Sequence, residues 1–302
     1  MLRMYLPGSE YTYTYISHPS RTARILKEYG IFLKKRLGQN FLADINILKK
    51  IAGVSELSKK ENVLEIGSGI GSLTEVLLQN ASRIMCIEVD RKLIKAFVDI
   101  FGEKIGNKVI LIEKDAMKLN YHEIAARYEI RKMVSNLPYG IAAPLILKIL
   151  VEAPQIRKMY ITIQKDIAER LLAEKGSKNY SSYTVKANLL ADFRLLFSVS
   201  RNCFIPVPNV DSAVIEVSAN KKSKLTNILD FFEFIEICFL HRRKKLINSI
   251  TAGGNKSYID KMHLIIKMLH DTGKDENVRA EELSLEEFLT IFNAIKKEYD
   301  SY

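Results

Sequence analysis

Cysteine is scarce in this chain of 302 residues: there are three, at 86, 203 and 238, each set in an apolar run and far from the others. An odd number at that spacing gives neither a disulfide framework nor a metal cluster, and it points to a reducing, intracellular compartment. Long apolar runs are missing too. No stretch approaches the ~18 apolar residues of a membrane span, and the first residues, M-L-R-M-Y-L-P-G-S-E, lack the apolar block of a secretory signal. A soluble, cytoplasmic protein with no membrane attachment is expected. Proline and glycine are few, 7 and 14, against 47% hydrophobic residues, which describes a packed chain with a sizeable core rather than a disordered one. Acidic residues are in deficit: 35 Asp and Glu against 46 Lys and Arg leave a net charge of +11. That balance suits a polyanionic partner such as nucleic acid.

What is present is an alternation. Between residues 62 and 217, short Val- and Ile-rich runs take turns with helix-like segments, as βα units around a mostly parallel sheet require. Strands are predicted near 63–67, 83–89, 108–113, 131–135, 158–163, 193–200 and 211–217, with helices between most of them, such as Leu73 to Gln79 and Arg91 to Phe101. Only S-R-N-C-F-I-P-V-P-N separates the last two strands, so they should form an antiparallel pair and complete a seven-stranded sheet. The polar stretch S-A-N-K-K-S-K-L-T (218–226) reads as a linker. After it, Phe231, Phe234, Ile235, Cys238 and Phe239 recur at helical spacing, and Ser284 with Glu287 forms a capping box ahead of a final amphipathic helix. The expected organisation is therefore a Rossmann-like α/β domain over 34–218, a small all-helical unit over 219–302, and an extension over 1–33 of open role.

V-L-E-I-G-S-G-I-G-S-L-T-E follows a strand and opens a helix, so Gly67, Gly69 and Gly71 sit where the backbone must turn sharply and approach a ligand closely. A dinucleotide fingerprint would need Gly or Ala at the position held by Ser72, which disfavours a dehydrogenase. The next strand ends in Glu88, at the distance where a carboxylate accepts hydrogen bonds from two ribose hydroxyls, and the third ends in Asp115, suited to the exocyclic amine of an adenine ring. An adenosine-containing ligand across these strand ends, with no phosphate-binding lysine loop, points to S-adenosylmethionine.

The fourth strand delivers Asn136-Leu137-Pro138-Tyr139 to the same edge. If the substrate is an exocyclic amine on a base, its lone pair is delocalised into the ring and needs help. The Asn136 side-chain oxygen and the Leu137 carbonyl are suited to accept both amine hydrogens and free that lone pair for attack on a sulfonium methyl. Pro138 holds the carbonyl in its direction, and Tyr139 offers a flat face for a base swung out of its stack.

Taken in order, K-K-R-L-G-Q-N-F-L (34–42), E-I-G-S-G-I-G-S-L-T, I-E-V-D, D-A-M, N-L-P-Y, Q-K-D-I-A-E-R-L, F-I-P-V-P-N-V-D-S-A-V and H-R-R-K-K-L-I-N-S-I resemble the small-subunit rRNA adenine dimethyltransferases of the KsgA type, over about Lys34 to Phe288. The resemblance implies a class I methyltransferase fold and dimethylation at N6 of two adjacent adenosines in a hairpin loop near the 3′ end of small-subunit rRNA, within an assembling subunit. It implies that Gln39, Asn40 and Leu42 close over the cofactor, that Gly67 lines its methionine part, that Glu88 holds the ribose and Asp115 the adenine, and that Gly69 and Ala116 also belong to the cofactor site. Asn136 would touch both cofactor and target amine, and Phe204 would face Tyr139 across the flipped base. Gly140 stands where Asn is frequent in the family and Ala280 where Pro is common; neither removes a proposed catalytic atom.

The cluster Arg242-Arg243-Lys244-Lys245 is predicted on a helix, where such cations position RNA through its phosphates. Lys34, Lys35 and Arg36, ahead of the cofactor loop, are expected to add to that surface. The small-subunit rRNA is the expected partner and a monomer the expected state.

Overall fold

In the computed structural model, residues 15–31, 40–220, 225 and 227–299 are described. The Val- and Ile-rich runs become a seven-stranded sheet whose central strands bury side chains on both faces, the environment of a parallel sheet covered by helices, while the edge strands Val109–Glu113 and Ala191–Val199 are partly exposed. Helix α1 (Pro19–Glu28) comes first, then the short β1 (Phe41–Leu42) and α2 (Ile45–Val54). The βα units follow: β2 (Asn62–Ile66), α3 (Ser72–Leu77), β3 (Arg83–Glu88), α4 (Arg91–Phe101), β4 (Val109–Glu113), α5 (Tyr121–Arg127), β5 (Lys132–Asn136), α6 (Ala142–Glu152), β6 (Lys158–Gln164), α7 (Lys165–Leu171) and α8 (Ser182–Leu190). The domain ends with β7 (Ala191–Val199), the two-residue β8 (Phe204–Ile205) and β9 (Ser212–Ala219).

The spatial order is β4-β3-β2-β5-β6-β9-β7. Strands β2 to β6 run parallel, whereas β9 is antiparallel to both β6 and β7. The predicted antiparallel final pair is thus present, with β9 inserted between β6 and β7. Side chains alternate between the two faces: Val63, Ile84 and Cys86 join one buried cluster with α1 to α4, while Leu64, Met85 and Ile87 join another with α5, α6 and α8. Asp90 caps α4 by accepting from the Lys92 amide at 3.0 Å.

The segment before residue 33 is part of this packing where it is described. Ile16, Ile25, Leu26 and Ile31 are buried in the same cluster as Leu48 and Phe97. The Ile16 amide donates to Glu75 Oε2 on α3 at 2.8 Å, and Tyr29 Oη donates to Asp99 Oδ2 on α4 at 2.9 Å.

The C-terminal region is helical, as its periodicity predicts: α9 (Ile228–Cys238), α10 (Leu246–Ala252), α11 (Lys256–Ile259), α12 (Met262–Asp271) and α13 (Leu285–Tyr299). The capping box forms as expected, with the Ser284 amide on Glu287 Oε2 at 2.6 Å and the Glu287 amide on Ser284 Oγ at 3.2 Å. Phe231, Phe234, Phe288 and Phe292 belong to the same hydrophobic cluster as the α5–α8 face of the sheet. The helical unit is therefore welded to the α/β core by apolar contact, reinforced where Tyr180 Oη donates to the Leu283 carbonyl at 2.9 Å.

Candidate active site

The carboxyl ends of β2, β3, β4 and β5 meet around a cavity of about 360 Å³, within the range usual for small-molecule sites, roughly 300–1,000 Å³. Between β2 and α3 the chain turns through Gly67 (φ +75°), Gly69 (φ +58°) and Gly71 (φ +89°), a left-handed conformation that side-chain-bearing residues rarely adopt. Their roles differ. A Cβ on Gly67 would sit 2.8 Å from Pro138 Cγ, so the absence of a side chain there lets the glycine loop and the Asn-Leu-Pro-Tyr loop lie against each other. A Cβ on Gly69 would meet Phe41, also at 2.8 Å. Gly71 was expected to approach the ligand; instead the space beside it is filled by Phe101 and Phe97 of α4, so its constraint is core packing.

Glu88, at the end of β3, is 8% exposed and lines the cavity. Its Oε1 accepts from the amides of Val89 (2.8 Å) and Asp90 (3.0 Å), and its Oε2 from the amide of Gly69 (2.9 Å). Burial raises its pKa, opposed by these three amides. A carboxylate has about four lone-pair sites, and three are taken by these amides, the remaining one being on Oε2. Asp115, at the end of β4, accepts from the Met117 amide through Oδ1 at 2.9 Å and lines the same cavity. Ala116 is buried behind it, its carbonyl held by Tyr121 Oη at 2.9 Å.

Asn40, Leu42, Asn136, Leu137 and Pro138 complete the wall. The Asn136 Nδ2 donates to the Asn40 carbonyl at 3.1 Å, which fixes the amide, because the reversed orientation would set two oxygens together. Its Oδ1 is buried and has no hydrogen-bond partner. Such an acceptor costs roughly 1–3 kcal/mol unless a donor arrives. Three residues on, the Tyr139 ring meets that of Phe204 edge-on, with centroids 6.4 Å apart and planes at 65°. Strand β8 places Phe204 by pairing with β1, in the register Leu42 to Phe204 and Phe41 to Ile205. Gln39, Lys34, Lys35 and Arg36 lie outside the described residues.

One cavity residue carried no signal in the sequence. Glu65, inside V-L-E-I-G, is fully buried on β2, where its Oε2 accepts from Thr74 Oγ1 at 2.7 Å. Burial pushes its carboxyl up to about 8, so it is protonated in the folded chain at neutral pH while the unfolded chain ionises it near 4.5. The unfolded state then binds fewer protons. Stability associated with Glu65 is full below the unfolded pKa and falls by about 1.4 kcal/mol per pH unit as pH rises toward the folded value. Urea unfolding of wild type and Glu65→Gln at pH 5.5 and 7.5 should show the wild type losing ground to the variant at the higher pH; parallel pH dependences would contradict this account.

The cationic cluster is not on a helix. Arg242, Arg243 and Lys244 occupy the turn between α9 and α10, and Lys245 caps α10. Arg242 is half-buried, with Nε on Glu281 Oε2 at 2.6 Å and Nη2 on the Ser177 carbonyl at 3.1 Å, so it ties the turn to the core. Arg243, Lys244 and Lys245 are exposed.

The strand order, the glycine turn and acidic residues at the next two strand ends define a class I, S-adenosylmethionine-dependent methyltransferase. The profile of the ribosomal RNA adenine dimethylases matches residues 32–297, and the chain belongs to that family. It is 36% identical over 286 residues to ribosomal RNA small subunit methyltransferase A of Bacillus thuringiensis (strain Al Hakam), covering 93% of this chain and 97% of the relative, and likewise to that of Bacillus cereus (strain AH187). A match of that extent reaches back into α1, so part of the first 33 residues has a counterpart in these relatives. Among solved structures, a dimethyladenosine transferase from Plasmodium falciparum aligns with a TM-score of 0.73 at 26% identity, covering 85% of this chain and 97% of that one. The 23S rRNA methyltransferase ErmE shares the fold, with a TM-score of 0.60 at 22% identity over 85% of this chain and 99% of its own.

Proposed function

We propose that this chain transfers methyl groups to N6 of two adjacent adenosines in a hairpin loop near the 3′ end of small-subunit rRNA, during assembly of that subunit, and that it does so as a cytoplasmic monomer. The observation that carries the reading is the buried, partnerless Oδ1 of Asn136, a residue that lines the cavity and stands three positions before Tyr139, whose ring meets Phe204. S-adenosylmethionine, bound there, supplies an electrophilic methyl group. Glu88 and Asp115 are suited to its ribose and adenine by their position at successive strand ends, and the apolar wall of Phe41, Leu42, Val89 and Leu93 to the rest. Among the described residues, the lining combines the carboxylates of Glu88 and Asp115 with the amides of Asn40 and Asn136 and apolar surface, groups that suit an adenosine.

Asn136 and the Leu137 carbonyl accept the hydrogens of the incoming amine. Their fixed directions lower its delocalisation into the ring, with no reorganisation at the moment of transfer. Burial raises the Tyr139 pKa, so its ring stays a neutral phenol against the base. In this reading 34–218 is the methyl-transferring unit and 219–302 a helical platform for RNA. On that platform Arg243, Lys244 and Lys245 meet phosphates while Arg242 holds the turn.

Incubation with labelled cofactor and undermethylated small subunits, large subunits or duplex DNA tests the proposal. Dimethyladenosine in the small-subunit rRNA is the expected product; label only in large subunits or DNA would reject it. In the same system, replacing Arg243, Lys244 and Lys245 with alanine should flatten the dependence of log K on log salt by up to about 0.9 for each phosphate no longer neutralised. Arg242→Ala should act chiefly on stability.

A further inference from the structure

Ser212 is the first residue of β9, fully buried, and its Oγ shares a hydrogen bond of 2.6 Å with Tyr139 Oη. The bond reaches past a whole strand, because β6 lies between β9 and the β5 end that carries Tyr139. It therefore joins the loop holding the target amine to the half of the sheet that leads into Phe204.

The two aromatic walls are not equivalent. Phe204 is 1% exposed and locked in register against Leu42. Tyr139 is half-buried, with its ring at 65° to Phe204. A nucleobase between two parallel rings needs about 7 Å, two carbon contact distances of ~3.5 Å. The centroid separation of 6.4 Å is close to that, so the obstacle is the tilt, not the gap.

We propose that Ser212 is a positioning residue that serves as the fixed bearing about which the Tyr139 ring turns to receive the flipped base. The phenol oxygen lies on the Cβ–Cγ axis of its own ring. Rotation about that axis swings the ring from edge-on to face-on while the oxygen, and the bond to Ser212, stay where they are. The χ2 torsion of an aromatic ring is broad and soft, so the turn costs little, whereas sideways drift of the ring would break the bond. Ser212 thus leaves open the one motion that stacking requires and suppresses the others. This inference rests on the methyltransferase reading above.

The test is a double-mutant cycle on wild type, Ser212→Ala, Tyr139→Phe and the double variant, with undermethylated small subunits as substrate. Wild-type turnover on those subunits, measured first, tests the functional reading separately. Each single variant should lower kcat/KM by about fivefold to tenfold, the size of one neutral hydrogen bond. The loss should fall on the KM for the subunit, with the KM for S-adenosylmethionine unmoved, and the double variant should be no worse than either single one. Additive losses, or a Tyr139→Phe enzyme with wild-type kcat/KM, would overturn the proposal. Tyr139→Phe removes only a half-buried hydroxyl, so it reports even if Ser212→Ala folds poorly.

Discussion

Asn136→Ala should lower methyl transfer by about 10²- to 10³-fold, the usual cost of deleting one preorganised polar group that faces the reacting atoms. RNA affinity should be nearly unchanged, since no phosphate contact is touched. Cofactor affinity should fall only modestly, through loss of the bond that Nδ2 makes to the Asn40 carbonyl. Asn136→Asp separates the two jobs of the amide. It keeps an acceptor toward the amine but sets a carboxylate oxygen against that carbonyl, so it should lose cofactor affinity as well as turnover. Single-turnover transfer with pre-bound cofactor, alongside equilibrium binding of cofactor and of RNA, reads these quantities separately. An Asn136→Ala enzyme with wild-type single-turnover rate would remove this residue from the chemistry.

Gly71→Ala should destabilise the fold by about 3–4 kcal/mol, combining the strain of a left-handed alanine with overpacking of a dense core. The added Cβ would stand 2.1 Å from Phe101 Cε2 and 3.1 Å from Phe97 Cε2, ring atoms of two buried phenylalanines. Gly106 provides the control. It has φ +86° with nothing within 4 Å of the added atom, so Gly106→Ala should cost only the conformational part, about 1–2 kcal/mol. Urea unfolding with equal m-values compares the two. Equal losses would mean that Phe101 gives way and that α4 is softer than its packing suggests.

Much of this architecture is legible in the sequence because parallel strands and their helices obey strong local rules. The seven Val- and Ile-rich runs each became a strand, and Arg91 to Phe101 became a helix with those same limits. Asp90 before it and Ser284 with Glu287 formed the caps their types predict. The residues at the ends of β2 to β5 could be gathered into one site because the topology of βα units fixes where strand ends go.

What was not legible depends on contacts between distant segments. Strands β1 and β8 are two residues each, too short for any alternation to register, yet they bring Leu42 and Phe204 together. Glu65 looks like an ordinary charge in a strand; only the assembled neighbours Thr74 and Cys86 reveal a buried carboxyl. The Arg242–Lys245 run was expected on a helix from its setting between helical patterns. Arg242 is bound to Glu281 and Ser177 and Lys245 bridges to Arg279, and these partners, remote in sequence, hold the segment in a turn. Ser212 falls within the quoted F-I-P-V-P-N-V-D-S-A-V stretch, but that stretch gives no sign that its partner is a tyrosine 73 positions earlier.

The insertion of β9 between β6 and β7 makes closure of the sheet depend on the last strand of the α/β region. Strand β7 hydrogen-bonds only to β9 within its sheet, so a nascent chain that has emerged as far as Ile205 has an edge with no template and a phenol with no serine. The parallel strands β2 to β6 are complete in sequence by Gln164, whereas β9 begins only at Ser212. Closure of the sheet and the bond between Tyr139 and Ser212 thus draw on the same late segment of the chain.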